Sequence, residues 1–428
     1  MKLCVIGLGY IGLPTSVMFA IHDVDVHGVD VNKHVIETVR KGQLHIEERG
    51  LKEKLKTVIK NGKLTVSSTP KKADVFIICV PTPLDENKKT DLSHVKSAAR
   101  SIVPFLEKGN LIILESTVPP KTTERILAPI LETSGLKVGE DLFVAHSPER
   151  VLPGKMMQEL VENDRVIGGI DERSALKTAD VYKTFVKGHL YLTDAQTAEL
   201  VKLIENTYRD VNIALANELA LIAEKLNIDI WEAIRLANYH PRVNVHLPGP
   251  GVGGHCIAID PWFIIEQAPE EAKLISLARR INEAVPSRVI EWIDRVVKDI
   301  EQPTITLFGL SYKANVDDTR ESPALAIYKE LSKKNYRVKI HDPFVKKKLP
   351  EQVDTIEKAL EGSDCLVLLT DHDYYKHIEL PSYQSLFKTK NIIDTRNLYA
   401  HVPLEQYGFS YYQLGTPRHP FAKKEEKR

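Results

Sequence analysis

The stretch GPGVGGHCIAID, residues 249–260, places four glycines in six positions and then a thiol, Cys256. Glycine loses more backbone freedom on folding than any other residue, so such a loop needs a compensating use. Gly249, Gly251, Gly253 and Gly254 let the backbone approach a ligand and turn its amides toward it, an arrangement that binds anions. A thiol at the end of an amide-rich loop has a route to a lowered pKa, and the thiolate is the nucleophile. The plainer alternative is a glycine turn carrying an incidental cysteine. Cys4, Cys79 and Cys365 read differently, because each lies in an apolar, β-branched run (KLCVIGL, VFIICVP, DCLVLLT) where a thiol acts as a small inert hydrophobe. Four cysteines in 428 residues make no disulfide framework.

A second glycine pattern supplies a partner for that thiol. Gly7-Leu8-Gly9-Tyr10-Ile11-Gly12 follows a strand-like run and opens an apolar helical pattern, and Asp30 ends the next strand-like run, 23 residues after Gly7. That context is the one a dinucleotide fingerprint requires. Gly7 makes the tight turn, Gly9 lets the backbone approach a pyrophosphate, and Gly12 packs helix against sheet. The helix N-terminus contributes amide donors and partial positive charge. Asp30 accepts hydrogen bonds from ribose hydroxyls and repels a 2′-phosphate, which favours NAD over NADP; Lys33 softens that preference. NAD beside a nucleophilic cysteine implies a specific sequence of reactions. An alcohol loses hydride to become an aldehyde, the thiolate captures it, a second hydride loss gives a thioester, and hydrolysis releases an acid.

The elements that must position these groups alternate. Residues 1 to about 195 carry strand-like runs at KLCVIGL, DVHGVDV, KLTVS, DVFIICV, NLIILEST and DLFVAHS, with helical spacing between several of them. Such alternation predicts a parallel sheet with helices on both faces. From Asp194 to Leu226 the chain has neither Gly nor Pro, and Leu200, Ile204, Tyr208, Val211, Leu215, Leu219, Ile222 and Leu226 recur at steps of three and four. This predicts one long helix, capped by Thr193 or Asp194, that bridges domains and offers an apolar face to a partner subunit. From about 303 strand-like runs return (TITLFGL, RVKIHDP, DCLVLLTD, KNIIDTRN), with a helix at SPALAIYKELSKKN. This half loosely echoes the first, but GLSYKAN has a single glycine at the matching turn, so a nucleotide joined to another group is the expected ligand there. The closing AKKEEKR reads as a frayed tail.

Composition limits the partners. Lys plus Arg equals Asp plus Glu at 58 each, so no global field draws the chain to nucleic acid or an anionic membrane. Three glycines and a proline interrupt the one N-terminal run that faintly mimics a signal peptide, and no other run reaches membrane-spanning length. A cytoplasmic chain with no metal is expected.

The sequence resembles the UDP-glucose/GDP-mannose dehydrogenases, which oxidise a nucleotide sugar at C6 through four electrons with two NAD. GLGYIG, CVPTP, ESTVPPKTT, SPERVLPG, ELVKLIENTYRDVNIALANELA, GPGVGGHC and DDTRESPA carry the resemblance, in order and over nearly the whole chain. It implies an N-terminal Rossmann NAD-binding domain over 1–195, a central helical dimerisation and catalytic segment over 196–300, and a C-terminal Rossmann-like UDP-binding domain over 301–428. By resemblance, Cys256 is the nucleophile, and Lys202 with Asn206, one helical turn apart, stabilises oxyanionic intermediates. Asp260 assists proton transfer, Glu149 activates water against the thioester, and Thr117 places that water. The cofactor falls to Gly7, Gly9, Tyr10, Ile11, Gly12, Asp30, Lys33, Pro81, Thr82, Thr117 and Arg320. The sugar nucleotide falls to Glu149, Arg150, Val151, Lys202, Asn206, Arg242, His246, Gly253, Lys313 and Arg396, with Arg242 reaching the neighbouring subunit's substrate in a homodimer or larger homo-oligomer.

Each residue also has a bland reading. Lys202 could pair with Glu199 or Glu205 on a solvated helix, Asn206 could be a surface polar group, Glu149 a cap, Asp260 a turn before Pro261, and each arginine half of a surface salt bridge. One departure narrows the substrate: UDP-glucose members carry a lysine three residues after the cysteine, and here that residue is Ile259. With His255, this resembles the subgroup acting on UDP-N-acetylhexosamines, the manno epimer ahead of the gluco epimer and of UDP-glucose. A two-electron hydroxyacid or hydroxyacyl dehydrogenase and a non-catalytic NAD-binding protein are the rival classes. The first needs neither Cys256 nor the second α/β half; the second leaves the assembled Lys202, Asn206 and Cys256 unexplained.

Overall fold

Leu3, Cys4, Val5 and Ile6 form an unbroken buried run in β1 (Lys2–Ile6), the mark of a parallel strand covered on both faces. Leu3 and Val5 pack with Leu13 and Val17 of the helix Gly12–Ile21 on one side. Cys4 and Ile6 pack with Val95, Ala99 and Ile102 of the helix Ser93–Ile102 on the other. The computed structural model describes residues 1–46, 48–152, 154–346 and 349–422. All but the first residue of AKKEEKR lie outside that set.

Seven further strands build the first sheet: β2 (Asp25–Val29), β3 (Leu64–Ser67), β4 (Val75–Ile78), β5 (Leu111–Leu114), β6 (Phe143–His146), β7 (Arg165–Gly169) and β8 (Leu190–Asp194). Their order is β3-β2-β1-β4-β5-β6-β7-β8, and every ladder is parallel except β6–β7. The order reverses between β1 and β4, and ligands of such sheets bind in the crevice beyond the carboxyl ends of the strands at that switch. The second sheet holds β9 (Thr304–Phe308), β10 (Arg337–His341), β11 (Ser363–Leu368), β12 (Phe387–Asp394) and β13 (Ser410–Gln413), all parallel, in the order β10-β9-β11-β12-β13. The expected α/β architecture is present, with β7, β8 and β13 added to the strands read from sequence.

Compactness divides the chain into two units, Met1–Glu205 with Trp262–Pro269, and Asn206–Pro261 with Glu270–Arg428. The central segment expected over 196–300 is shared between them. One continuous helix, Ala195–Leu226, gives its first turns to one unit and the rest to the other. At 1.5 Å per residue its 32 residues span about 48 Å. Asp194 caps it, accepting from Thr197 N at 2.8 Å and Thr197 Oγ1 at 2.7 Å.

The two halves share a turn. Gly309 after β9 has φ +94°, against +93° for Gly7 after β1. Leu310 N donates to Asp342 Oδ2 at 2.7 Å, as Leu8 N donates to Asp30 Oδ2 at 2.9 Å. The difference lies in the carboxylate. Asp342 is buried against His372 Nε2 at 3.1 Å, while Asp30 keeps part of its surface open.

Candidate active site

The three fingerprint glycines have three separate reasons. A Cβ at Gly7 would lie 2.5 Å from the carbonyl oxygen of Cys79, and one at Gly12 would lie 1.8 Å from that of Gly7, so both are dictated by close packing. A Cβ at Gly9 would meet nothing within 4 Å, and Gly9 is exposed. Its missing side chain leaves room for something outside the protein. No side chain caps the helix Gly12–Ile21 that follows. Leu13 N donates to the Gly9 carbonyl at 3.2 Å and Thr15 N to the Ile11 carbonyl at 3.0 Å, so the positive end of the helix rather than a row of free amides is what the turn presents to an anion. Asp30 is held by Leu8 N and by Asn32 N at 2.8 Å. Tyr10 and Ile11 are partly exposed beside Gly9, and Lys33 is exposed at the start of the helix Lys33–Arg40. These features fit a dinucleotide.

Across the switch point, Pro81 and Thr82 follow β4 and Thr117 follows β5. Thr82 Oγ1 donates to the Thr117 carbonyl at 2.7 Å, and Ser116 Oγ donates to the Val80 carbonyl at 2.7 Å. The two loops are therefore stapled into one rim. Glu149, Arg150 and Val151 follow β6. Glu149 accepts from its neighbour Arg150 N at 2.7 Å and from Arg165 of β7. Glu48 fixes the rest of that loop, accepting from Gly154 N at 2.7 Å and Met156 N at 3.0 Å.

Lys202 stands on the long helix with 9% of its surface exposed. Neither carboxylate that could have neutralised it locally is available. Glu199 accepts from Lys121 N at 2.6 Å, Thr123 N at 2.7 Å and Thr123 Oγ1 at 2.6 Å, and burial pushes its carboxyl up to about 7. Glu205 binds Arg150 Nη1 at 2.6 Å. Among the described residues no hydrogen bond or ion pair reaches the Lys202 ammonium. A largely buried cation without an anion is costly, and the cost is recovered only when a negative group arrives.

In the second unit Asn206 is buried, and its amide donates to Asp260 Oδ2 while its carbonyl accepts from Arg209. Asp260 is buried at the head of the helix Asp260–Gln267. Cys256 is exposed and opens the turn leading into that helix, its carbonyl accepting from Ile259 N at 3.1 Å and Asp260 N at 2.8 Å. The glycines before it are packed against protein. Cβ atoms at Gly249, Gly253 and Gly254 would lie 2.6 Å from Arg396 Nη1, 2.6 Å from the Glu321 carbonyl and 2.8 Å from the Tyr312 ring. Two of the loop's amides are also engaged: Gly249 N donates to Asn217 Oδ1 at 3.0 Å, and Gly254 N to the Arg320 carbonyl at 2.9 Å. The expectation that the glycines turn their amides toward a ligand is corrected at these two positions, because protein groups come close instead: Asn217 and Arg396 at Gly249, and the 312–323 segment at Gly254.

Arg396 follows β12 and Asp371 follows β11; Nε donates to Asp371 Oδ1 at 3.1 Å. Lys313 is exposed after β9. Arg320 is exposed and paired with Asp318 at 2.7 Å. Arg242 lies on an exposed loop, and His246 meets Tyr208 edge-on with ring centroids 6.4 Å apart. Burial holds His246 below the usual imidazole range, and Arg209 adds to the effect.

Comparison with known proteins decides the family. Its models match the chain three times: the NAD binding domain over residues 1–186, the central domain over 196–284 and the UDP binding domain over 306–401. The chain belongs to the UDP-glucose/GDP-mannose dehydrogenase family. It is 50% identical over 421 residues to a UDP-N-acetyl-D-mannosamine dehydrogenase of Methanocaldococcus jannaschii, covering 97% of this chain and 96% of the relative. It is 44% identical over 409 residues to an NDP-N-acetyl-D-galactosaminuronic acid dehydrogenase of Ralstonia solanacearum, covering 92% and 96%. The solved structure of a UDP-D-ManNAc dehydrogenase from Pyrococcus horikoshii superposes with a TM-score of 0.92 at 43% identity, covering 98% of this chain and 100% of that one.

As a member of this family the chain is an NAD-dependent UDP-sugar dehydrogenase, with its NAD binding domain over residues 1–186. Among the described residues, no helix is long and apolar enough to cross a membrane. Sequence reading passed over Glu48, Glu115 and Arg165, whose partners are distant in the chain and carry no local signal, and it took Glu199 only as a local partner for Lys202.

Proposed function

We propose that this dehydrogenase converts UDP-N-acetyl-D-mannosamine to UDP-N-acetyl-D-mannosaminuronate, with Cys256 holding C6 between two oxidations. The supporting observation is the contrast among the cysteines. Cys4 and Cys365 are buried and Cys79 donates to Glu115 Oε2 at 3.0 Å, while Cys256 is exposed at the head of a helical turn. NAD held by the fingerprint supplies the hydride acceptor. The Cys256 thiolate adds to the C6 aldehyde carbon, forming a C–S bond and an alkoxide that Lys202 stabilises. Loss of hydride from C6 then leaves a thioester. Water placed by Thr117 and deprotonated by Glu149 adds to that carbonyl, the C–S bond breaks, and thiolate and carboxylate are released. Asp260, held by Asn206, is the group that moves protons at the oxidised hydroxyl. For each sugar, two NAD are reduced, one water is consumed and three protons are released. Ile259, buried three residues after the thiol, is an apolar side chain suited to an acetamido methyl. The substrate and cofactor are cytoplasmic metabolites, and the cytoplasm is the proposed compartment.

The test is an assay with NAD and a panel of UDP-sugars. Two NADH per sugar are expected, with kcat/KM for the N-acetylmannosamine substrate at least about tenfold above the gluco epimer. One NADH with a free aldehyde would instead indicate a two-electron enzyme, and fastest turnover of UDP-glucose would defeat the N-acetyl reading.

The apolar stripe of the long helix is proposed to be a homodimer seam. Leu200, Ile204, Tyr208, Leu215, Ile222 and Leu226 are between 38% and 59% exposed in a single chain, an apolar stripe that a second copy would cover. Light scattering should report a dimer, and Leu215→Glu should convert it to monomer with loss of activity. A monomeric wild type removes this proposal.

A further inference from the structure

Behind Glu149 the first unit buries more charge than its mechanism uses. Arg165, the first residue of β7, donates from Nη1 to Glu115 Oε1 at 3.2 Å and to Ser147 Oγ at 3.2 Å, and from Nη2 to Glu149 Oε2. Its guanidinium stacks 4.0 Å over the Tyr182 ring. Tyr182 and Cys79 also donate to Glu115, one to each oxygen. Burial pushes the Glu115 carboxyl up, Arg165 opposes this, and Glu149 adds to it. Burial, then Glu115, keeps Cys79 and Tyr182 neutral. Two other groups bear on Glu149. Arg150 offers its backbone amide while its guanidinium serves Glu205. Cys79, kept neutral chiefly by burial and then by Glu115, also feels the Glu149 charge. One cation therefore serves two carboxylates.

We infer that Arg165 and Glu115 are positioning residues for Glu149: Arg165 fixes its carboxylate, and Glu115 takes up enough of Arg165's charge to leave Glu149 a working base. The inference rests on the proposal that Glu149 activates the water that breaks the thioester. A lone guanidinium against a carboxylate lowers its pKa by about one to three units, which makes a poor proton acceptor near neutrality. A second carboxylate on the same guanidinium offsets that effect without releasing the side chain. The step is balanced: water oxygen bonds to the acyl carbon, one proton passes to Glu149 and then to solvent, and the C–S electrons return to Cys256.

The experiment follows acyl-enzyme decay. Full-length enzyme is given NAD and its preferred UDP-sugar for a single turnover, quenched in acid, and weighed intact across pH 5 to 9. Glu115→Gln preserves shape, because its carbonyl still accepts from Arg165 and Tyr182. It leaves the Arg165 charge on Glu149 alone. Acyl-enzyme breakdown should slow by about three- to tenfold, and its acid limb should move down by about one pH unit. Arg165→Lys, which keeps the charge but not the fork that spans both carboxylates, should accumulate acyl-enzyme as well. Tyr182→Phe removes a donor without changing charge and should leave the limb in place. A limb unmoved in Glu115→Gln, or normal breakdown in Arg165→Lys, overturns the inference. Normal breakdown in Glu149→Gln defeats the underlying proposal instead.

Discussion

Cys256→Ser is expected to release aldehyde and almost no acid, with carboxylate formation down by about 10⁴-fold or more. The serine hydroxyl is far less acidic than a thiol, so few molecules carry the anion that must add to the aldehyde. The first hydride transfer needs no covalent bond to the protein and should persist, so NADH formed per sugar drops from two toward one. Cys256→Ala should behave the same way, which separates nucleophilicity from hydrogen bonding. Folding should be unaffected, because Cys256 is exposed and contributes little buried area. Acid quenching of the wild type should trap an acyl group on this sulfur by intact mass. If either variant makes carboxylate within tenfold of the wild-type rate, covalent capture is not the mechanism.

What could be read from the sequence was chemistry confined to short stretches. The fingerprint is such a case, because Gly7, Gly9 and Gly12 act within one strand–turn–helix and Asp30 meets Leu8 N only 22 residues away. The long helix is another, since its repeat of three and four is a local property. β7 escaped because RVIGG begins with a charge and ends in two glycines. Arg165 can be buried there only because β5 and β6 bring Glu115 and Glu149 to it. β13 escaped because SYYQ is a four-residue edge strand. The glycine loop misled for the same reason. Tyr312, Glu321 and Arg396 press against it from 58 to 147 residues away, counted from Gly254, Gly253 and Gly249, and nothing in GPGVGGHC announces them. Long-range partners also decided the reading of Lys202. Glu199 and Glu205 sit at helical spacing and invite a local ion pair. They are claimed instead by Thr123, 76 residues away, and Arg150, 55 residues away.

That loss of local partners makes Lys202→Met the second decisive variant. An ammonium held without an anion is preorganised for the alkoxide of the thiohemiacetal and for the oxyanion formed when water attacks the thioester. Removing one such group costs about 10²- to 10³-fold in rate, and in the proposed mechanism Lys202 serves more than one step, so kcat should fall about 10³-fold, or about 4 kcal/mol. NAD affinity should be unchanged, because the fingerprint turn is built from other residues. Stability should rise slightly or hold, since methionine has a similar length and carries no charge to desolvate. Lys202→Arg should restore little, because a planar guanidinium cannot present charge at the same point. A merely structural lysine predicts the opposite pair of results, a lowered melting temperature with activity reduced less than tenfold. Measuring kcat, NAD affinity and Tm on one preparation therefore separates the two roles. Loss of rate at constant or higher stability is the outcome expected of a site that stays under-neutralised until its substrate becomes an anion.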